Sequence, residues 1–410
     1  MVGLAFMSAA TVLPAFAESL GASTVLIGAI PAVMTVGWFL PPLFAAAHTE
    51  RLPRKLPFVL RWTGWERVPF LGLALIAFFL ADRAPGLSMW MLLAMLLAMT
   101  AIGGMLMPAW IDLVARALPT RLRGRFFGLA SLAGTLGGLA GSVLTAWVLR
   151  TLPSSTAYGI CFLAATVFVG LSWIALMLVR EPPATTAPAR ADFWTHLGSV
   201  PAILREDVNF SWYLAARVLT FGAVIASGFF TVYALRVLRA PAADVGLFTA
   251  LLLVGQMTGQ VLLGWIGDRA GHRLVLVIGA CVATLMNLVA LGAVSPGTFS
   301  VVFALNGVFN AAIQVSAVNV LLEFAPSPQQ NPTYVGIERT FLAPFGFALP
   351  LIGGLLIDAI GYPFVFSISA AFSVASAAAL LWLVREPREH ALLFGIGGVR
   401  DSPPKPPITS

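Results

Sequence analysis

The chain has 410 residues, 59% of them hydrophobic and only 10% charged, with a mean hydropathy of +0.92. A soluble domain carries about 25% charged residues, so most of this chain is built for an apolar solvent. The net charge of +7 does not mark a nucleic-acid binder, because the basic residues lie in short gaps between apolar runs and form no basic patch with interleaved aromatics.

A helix needs about 20 apolar residues to cross the hydrocarbon core. By that ruler the chain holds twelve crossings, the first six at 1–17, 23–47, 57–81, 87–113, 125–149 and 156–179. The other six fall at 209–235, 244–267, 272–294, 297–321, 334–358 and 362–384. Any other backbone would leave polar groups unsatisfied in lipid, and continuous rather than alternating runs exclude a barrel. The first run ends in Ala15-Phe16-Ala17, which resembles a signal-peptidase site. No basic region precedes it, so it reads as a first transmembrane helix that lacks its cytoplasmic start.

One set of gaps holds sixteen basic residues: Arg51, Arg54, Lys55, Arg116, Arg121, Arg123, Arg125, Arg180, Arg190, Arg205, Arg269, Arg273, Arg385, Arg388, Arg400 and Lys405. The alternate gaps hold four, Arg83, Arg150, Arg236 and Arg239. The positive-inside rule then places the first set, and both termini, in the cytoplasm of a plasma (inner) membrane. The longest gap, 181–208, contains the proline-rich Glu181-Pro182-Pro183 and reads as a linker between two six-helix units, 1–180 and 209–384. The tail, 385–410, ends in a proline-rich stretch without apolar period and reads as disordered.

Cys161 and Cys281 each sit inside an apolar run, which excludes a disulfide framework. His48, His196, His272 and His390 stand apart, so neither a metal nor another cofactor is expected.

The halves echo each other. Aligning Asp268-Arg269 with Glu50-Arg51 gives an offset of 218 residues. Leu118-Pro119-Thr120 followed by Gly128 parallels Ala325-Pro326-Ser327 followed by Gly336. Two related helical bundles point to a secondary transporter with its site between them, near the midplane.

Gly264-x-x-Gly267-Asp268-Arg269-x-Gly271-His272-Arg273 resembles the loop signature of the major facilitator superfamily between helices eight and nine. Glu50-Arg51-x-Pro53-Arg54-Lys55 matches its first-half counterpart in charge, but lacks the usual aspartate and glycine. Pro119-Thr120-Arg121-Leu122-Arg123-Gly124-Arg125 resembles the family's basic loop between helices four and five. Two departures separate the chain from the drug antiporters. No arginine lies between Trp90 and Val114, and the glycine row Gly134, Gly137, Gly138, Gly141 has no proline; Pro350-Leu351-Ile352-Gly353-Gly354 is nearer that pattern, in the symmetry-related helix.

The resemblance implies an all-α membrane fold of twelve helices in two pseudo-symmetric six-helix bundles, working by alternating access. It implies a gating role for Asp268, Arg269, Gly264, Gly271 and Arg273, and for Glu50, Arg51 and Arg54. A carboxylate at a helix N-terminus is stabilised by about 0.3–1 kcal/mol, so Asp268 near helix eleven and Glu50 near helix five would hold one face closed. The plainer alternative is that these charges only fix topology.

The resemblance also implies a cavity lined by helices one, four, seven and ten. Asn306, Asn310 and Gln314 lie on one face of helix ten, and Gln256 and Gln260 share a face of helix eight. They are cavity candidates, or equally hydrogen-bonding glue between helices. Met95 and Met99, in a stripe with Met91, would give an adaptable apolar lining, or simply core. Arg217, among the aromatics of helix seven, is a candidate because an intramembrane charge is costly, with snorkelling as the alternative. Asp112, Glu66 and Glu338 are the candidate proton-coupling groups, yet none is expected at the midplane. Glu66 with Arg67 also reads as a packing pair, and Glu338 with Arg339 as partners of loop charges.

The expected function is secondary transport of a small organic solute by a monomer embedded in the lipid bilayer, with the proton as candidate coupling ion. The weakly polar lining tilts this to export of an amphipathic compound. The alternatives are uptake of a polar nutrient, for which Ser8, Thr11, Thr220 and Ser227 supply few hydrogen-bonding groups on helices one and seven, and a non-transporting sensor. An enzyme is not expected, since no His-Glu-x-x-His or Gly-x-Ser-x-Gly motif occurs.

Overall fold

The computed structural model describes residues 2–50, 52–117, 120–181, 203–325 and 330–386, and every regular element among them is helical. Among the described residues, eleven helices are long and apolar enough to cross a membrane. In the first half these are α2 (Thr24–Glu50), α3 (Leu56–Leu75, continued by a π turn at Ile76–Leu80), α4 (Pro85–Ala117), α5 (Thr120–Thr151) and α6 (Ser154–Met177). In the second half they are α7 (Val208–Ala223, a 3₁₀ stretch at Ile225–Phe229, then Phe230–Arg236), α8 (Asp244–Ala270), α9 (His272–Gly292), α10 (Pro296–Phe299 and Val301–Phe324), α11 (Asn331–Ala359) and α12 (Tyr362–Trp382). Most of the expected linker and all of the tail beyond Glu386 lie outside the described residues.

The twelfth expected crossing, 1–17, is not one helix. It is two short helices, Val2–Ala5 and Val12–Ser19, here together called α1. Pro14, in the first turn of the second of these, leaves one carbonyl without its helical partner. Proline has no N–H to give to the carbonyl four residues back, and its ring clashes with that carbonyl. The carbonyl in question belongs to Ala10, and it accepts instead from Thr231 Oγ1 of α7 at 2.8 Å. The break in α7 is satisfied in the same manner. The Ala226 N–H donates to Ser369 Oγ of α12 at 3.2 Å, and Asn287 Nδ2 of α9 donates to the Ala223 carbonyl at 3.2 Å. Irregular backbone at membrane depth is tolerated only where protein supplies such partners.

The interrupted stretches are residues 6–11 and 224–229, again 218 apart. The offset that relates the two charged loops therefore also relates two broken helices.

Each half packs around its own inner helices, α2 against α4 and α8 against α10. The halves meet where α2 lies on α11 and α5 on α8. Glycine brings these backbones together: a β-carbon at Gly28 would stand 2.4 Å from the Pro350 carbonyl oxygen, and one at Gly246 2.4 Å from that of Ser142. Close approach through small residues is how helices associate where lipid removes the hydrophobic drive.

Candidate functional site

The inter-half seam has a direction. Thr24 Oγ1 at the start of α2 bonds the Gly354 carbonyl at 3.2 Å and the Asp358 carboxylate, both near the end of α11. Thr11 and Thr249 share a hydrogen bond of 2.6 Å between α1 and α8. Glu18 at the end of α1 pairs with Arg236 at the end of α7 at 2.5 Å, and Arg236 also donates to the Ala22 carbonyl at 2.5 Å. All of these lie toward the end away from the basic loops, hereafter the far end. Toward the basic end, a β-carbon at Gly346 would face Thr35 at 2.8 Å, and Ser131 Oγ reaches Gln260 Oε1 at 3.5 Å. The seam is closed at the far end.

Beside the last of these contacts lies a cluster of amides. Gln256 Nε2 and Gln260 Nε2 of α8 both donate to Gln314 Oε1 of α10, at 3.1 and 3.0 Å. Leu247, Val254, Val261 and Trp265 form the exposed apolar stripe of α8. At about 100° per residue, Gln256 and Gln260 sit roughly half a turn from that stripe, away from lipid and between α5 and α10. With its oxygen used twice, Gln314 keeps its amide N–H groups as donors, and Gln256 keeps its oxygen as acceptor. One turn deeper, Asn310 Nδ2 donates to the buried Asn306 at 3.4 Å. The cluster is uncharged and offers both halves of a hydrogen bond.

Other sequence candidates lie elsewhere. Met99 is buried in the hydrophobic core, and Met95 packs on it, with its sulfur 2.9 Å from where a β-carbon of Gly72 would be. Arg217 is buried in the second half, its Nε 3.0 Å from Glu338 Oε1 of α11, and Tyr213 donates to the same oxygen at 3.3 Å. Glu338 thus finds its partner within the membrane-spanning helices and not among loop charges.

Glu66 pairs with Arg67 at 2.7 Å, and Arg67 Nε donates to the Val169 carbonyl. This pair lines a cavity of about 560 Å³ between α2, α3, α4 and α6, with Trp38, Met107 and Trp110. That cavity belongs to the first half alone. Asp112 holds Arg116 through two bonds, of 3.0 and 2.7 Å, and Lys55 at 3.6 Å. The three proton-coupling candidates are therefore each paired inside their own half.

At the basic end, α8 runs on through Gly264 and Gly267 to Ala270, and the whole turn into α9 is Gly271, with φ +93°. Asp268 is exposed on the last turn, and the Arg269 guanidinium lies 4.2 Å over the Trp265 ring. Arg273 approaches Glu386 at 3.5 Å and donates to the Val384 carbonyl. In the first half the position 218 residues before Arg273 is Lys55, and there it is the backbone that meets an acid. The Lys55 and Leu56 N–H groups donate to Glu181 at 2.8 and 2.9 Å, capping α3, and Arg116 comes within 3.9 Å of the same carboxylate. Arg54 is exposed; Arg51 and the side chain of Glu50 lie outside the described residues.

Sequence reasoning passed over Glu181 and Glu386, although a signal was present: Val179-Arg180-Glu181-Pro182 recurs as Val384-Arg385-Glu386-Pro387. It also passed over Glu18, Thr24 and Asp358, whose partners lie in the other half and are set by no local spacing.

The chain matches the Major Facilitator Superfamily over residues 1–239 and 213–402. Over 165 residues it is 31% identical to the tetracenomycin C resistance and export protein of Streptomyces glaucescens, a stretch that is 40% of this chain and 30% of that protein. In fold it is similar to the nucleoside transporter NupG, with a TM-score of 0.71 at 13% identity over 94% of this chain and 97% of that one. It is also similar to a bacterial homologue of the iron transporter ferroportin in an inward-facing state, with a TM-score of 0.67 at 13% identity over 92% and 96% of the two chains.

Proposed function

The chain belongs to the major facilitator superfamily, and from that premise we propose that it exports an uncharged, amphipathic organic compound by alternating access. It is an integral membrane transporter and not an enzyme. The observation that carries the reading is the amide cluster of Gln256, Gln260 and Gln314, beside a seam closed at the far end. A compound entering from the basic end meets donors and an acceptor without a formal charge. Arg217 and Glu338, the charges that would favour an ion, neutralise each other in a buried pair.

The basic end is the cytoplasmic one in this reading, with the protein a monomer in the plasma membrane. Export is further supported by the partial similarity to a protein whose name includes export. Proton coupling is the matching energy source, although Asp112, Glu66 and Glu338 are held in pairs.

A thermal-shift screen of uncharged aromatic and polyhydroxylated compounds on purified protein identifies a ligand, and flux of that ligand in proteoliposomes, with and without a pH gradient, gives direction and coupling. Gln314→Ala removes the shared acceptor and a donor. A hydrogen bond contributes about 0.5–1.5 kcal/mol, so the variant binds the ligand a few-fold to about tenfold more weakly with an unchanged melting temperature. Unaltered affinity would remove Gln314 from the site, and flux toward the basic end would replace export by uptake.

A further inference from the structure

We propose that Glu18 and Arg236 form the latch of the far end, and that their charge pairing sets how often that end opens. Seven ion pairs join described residues. Four lie within the first half: Lys55–Asp112, Arg67–Glu66, Arg116–Asp112 and Arg116–Glu181. Two lie within the second, Arg217–Glu338 and Arg273–Glu386. Only Glu18–Arg236 crosses the seam. When two rigid bundles rock apart, pairs inside a bundle travel with it and survive. The crossing pair must break.

The position of the pair gives it leverage. Glu18 ends α1 and Arg236 ends α7, the two helices interrupted at equivalent positions, so the latch joins the short outer segments of both. Both side chains are partly buried, at 21% and 31% exposure, so the pair is shielded from water more than an open surface bridge and its attraction is correspondingly less screened. The Arg236 guanidinium also holds the Ala22 carbonyl, at the turn that leads into α2. Tyr362 of α12 stands beside it. Among the described residues the other far-end seam contacts join no opposite charges: the threonine pair Thr11–Thr249, the bond from Thr231 to Ala10, the bond from Thr24 to the Asp358 carboxylate, and glycine contacts. Loss of one charge leaves the other seeking water, and opening the far end supplies water. The closed state therefore loses more than the open state does, and the population moves toward opening.

The inference rests on the alternating-access reading, but its test needs no substrate. Arg83, between α3 and α4, and Val294, between α9 and α10, are exposed at the far end, one in each half. Spin labels on Arg83→Cys and Val294→Cys, in a Cys281→Ser background that removes the exposed native thiol, report the far-end separation by pulsed electron resonance. Glu18→Gln and Arg236→Gln are each expected to move the main distance to longer values. The exchanged pair, Glu18→Arg with Arg236→Glu, is expected to restore the short one. An unchanged distribution in either folded single variant overturns the latch, as does an exchanged pair that stays open. Should Glu18→Gln fail to fold, Arg236→Gln carries the same test. A wild-type protein that carries no tested solute still gives distances, so failure of the substrate reading and failure of the latch are told apart.

Discussion

Gly271 shows how much one residue can decide. It alone separates α8 from α9, with φ +93° and ψ 147°, a conformation essentially confined to glycine. A β-carbon there would also stand 2.7 Å from the Glu386 carboxylate that Arg273 approaches. Gly271→Ala is expected to cost about 1–3 kcal/mol, read as a lower melting temperature by intrinsic fluorescence in detergent. Gly264→Ala is the control. Gly264 lies inside α8 with open space where a β-carbon would go, and replacing a helix-interior glycine by alanine gains roughly 0.5–1 kcal/mol. A common fall in both would remove the conformational argument. The glycine spacing was plain in the sequence; which glycine makes the turn was not. Nothing in the loop itself names Glu386, because its place there depends on how α12 returns to α9.

At the scale of helices, Arg217 and Glu338 fasten α7 to α11. Taking one partner from a buried pair costs about 3–5 kcal/mol, because a charge stays behind without compensation, whereas replacing both by apolar residues of similar volume is often neutral. Arg217→Leu is therefore expected to lower the midpoint of thermal unfolding strongly, and Arg217→Met with Glu338→Leu to recover most of the loss. If the double variant is as unstable as the single, packing rather than charge compensation governs the site. Apolar run lengths predicted the eleven long helices. Helical periodicity placed Gln256 with Gln260, and Asn310 with Gln314, on shared faces. Periodicity carries no information about which face meets which neighbour, so the pairing of Arg217 with Glu338 and the burial of Met99 were not legible in it. The break in α1 was hidden for a related reason: an apolar run has the same composition whether its helix is continuous or interrupted, and prolines such as Pro31 and Pro108 lie inside unbroken helices.

For the whole molecule, the 218-residue offset relates loops, basic residues and helix breaks alike, so the two halves are copies of one design. Copies related this way can exchange roles at the two faces, which is what alternating access requires. The closed far end then has a consequence that can be tested with a crosslink. Thr24 begins α2, Asp358 lies near the end of α11, and their side chains are hydrogen-bonded across the seam. Thr24→Cys with Asp358→Cys, in the Cys281→Ser background, is expected to form a disulfide on oxidation, since such a bond needs β-carbons only about 3.5–4.5 Å apart. If each cycle must separate the halves here, the oxidised protein loses flux to the level of empty liposomes, and a reductant restores it. Binding should behave differently. The amide cluster lies toward the basic end, so the oxidised protein should bind the ligand with affinity close to that of the reduced protein. Loss of both flux and binding would mean that the disulfide distorts the site. Retention of both would mean that solute moves without opening the far end, and the closed seam would then be a permanent wall rather than one face of a cycle.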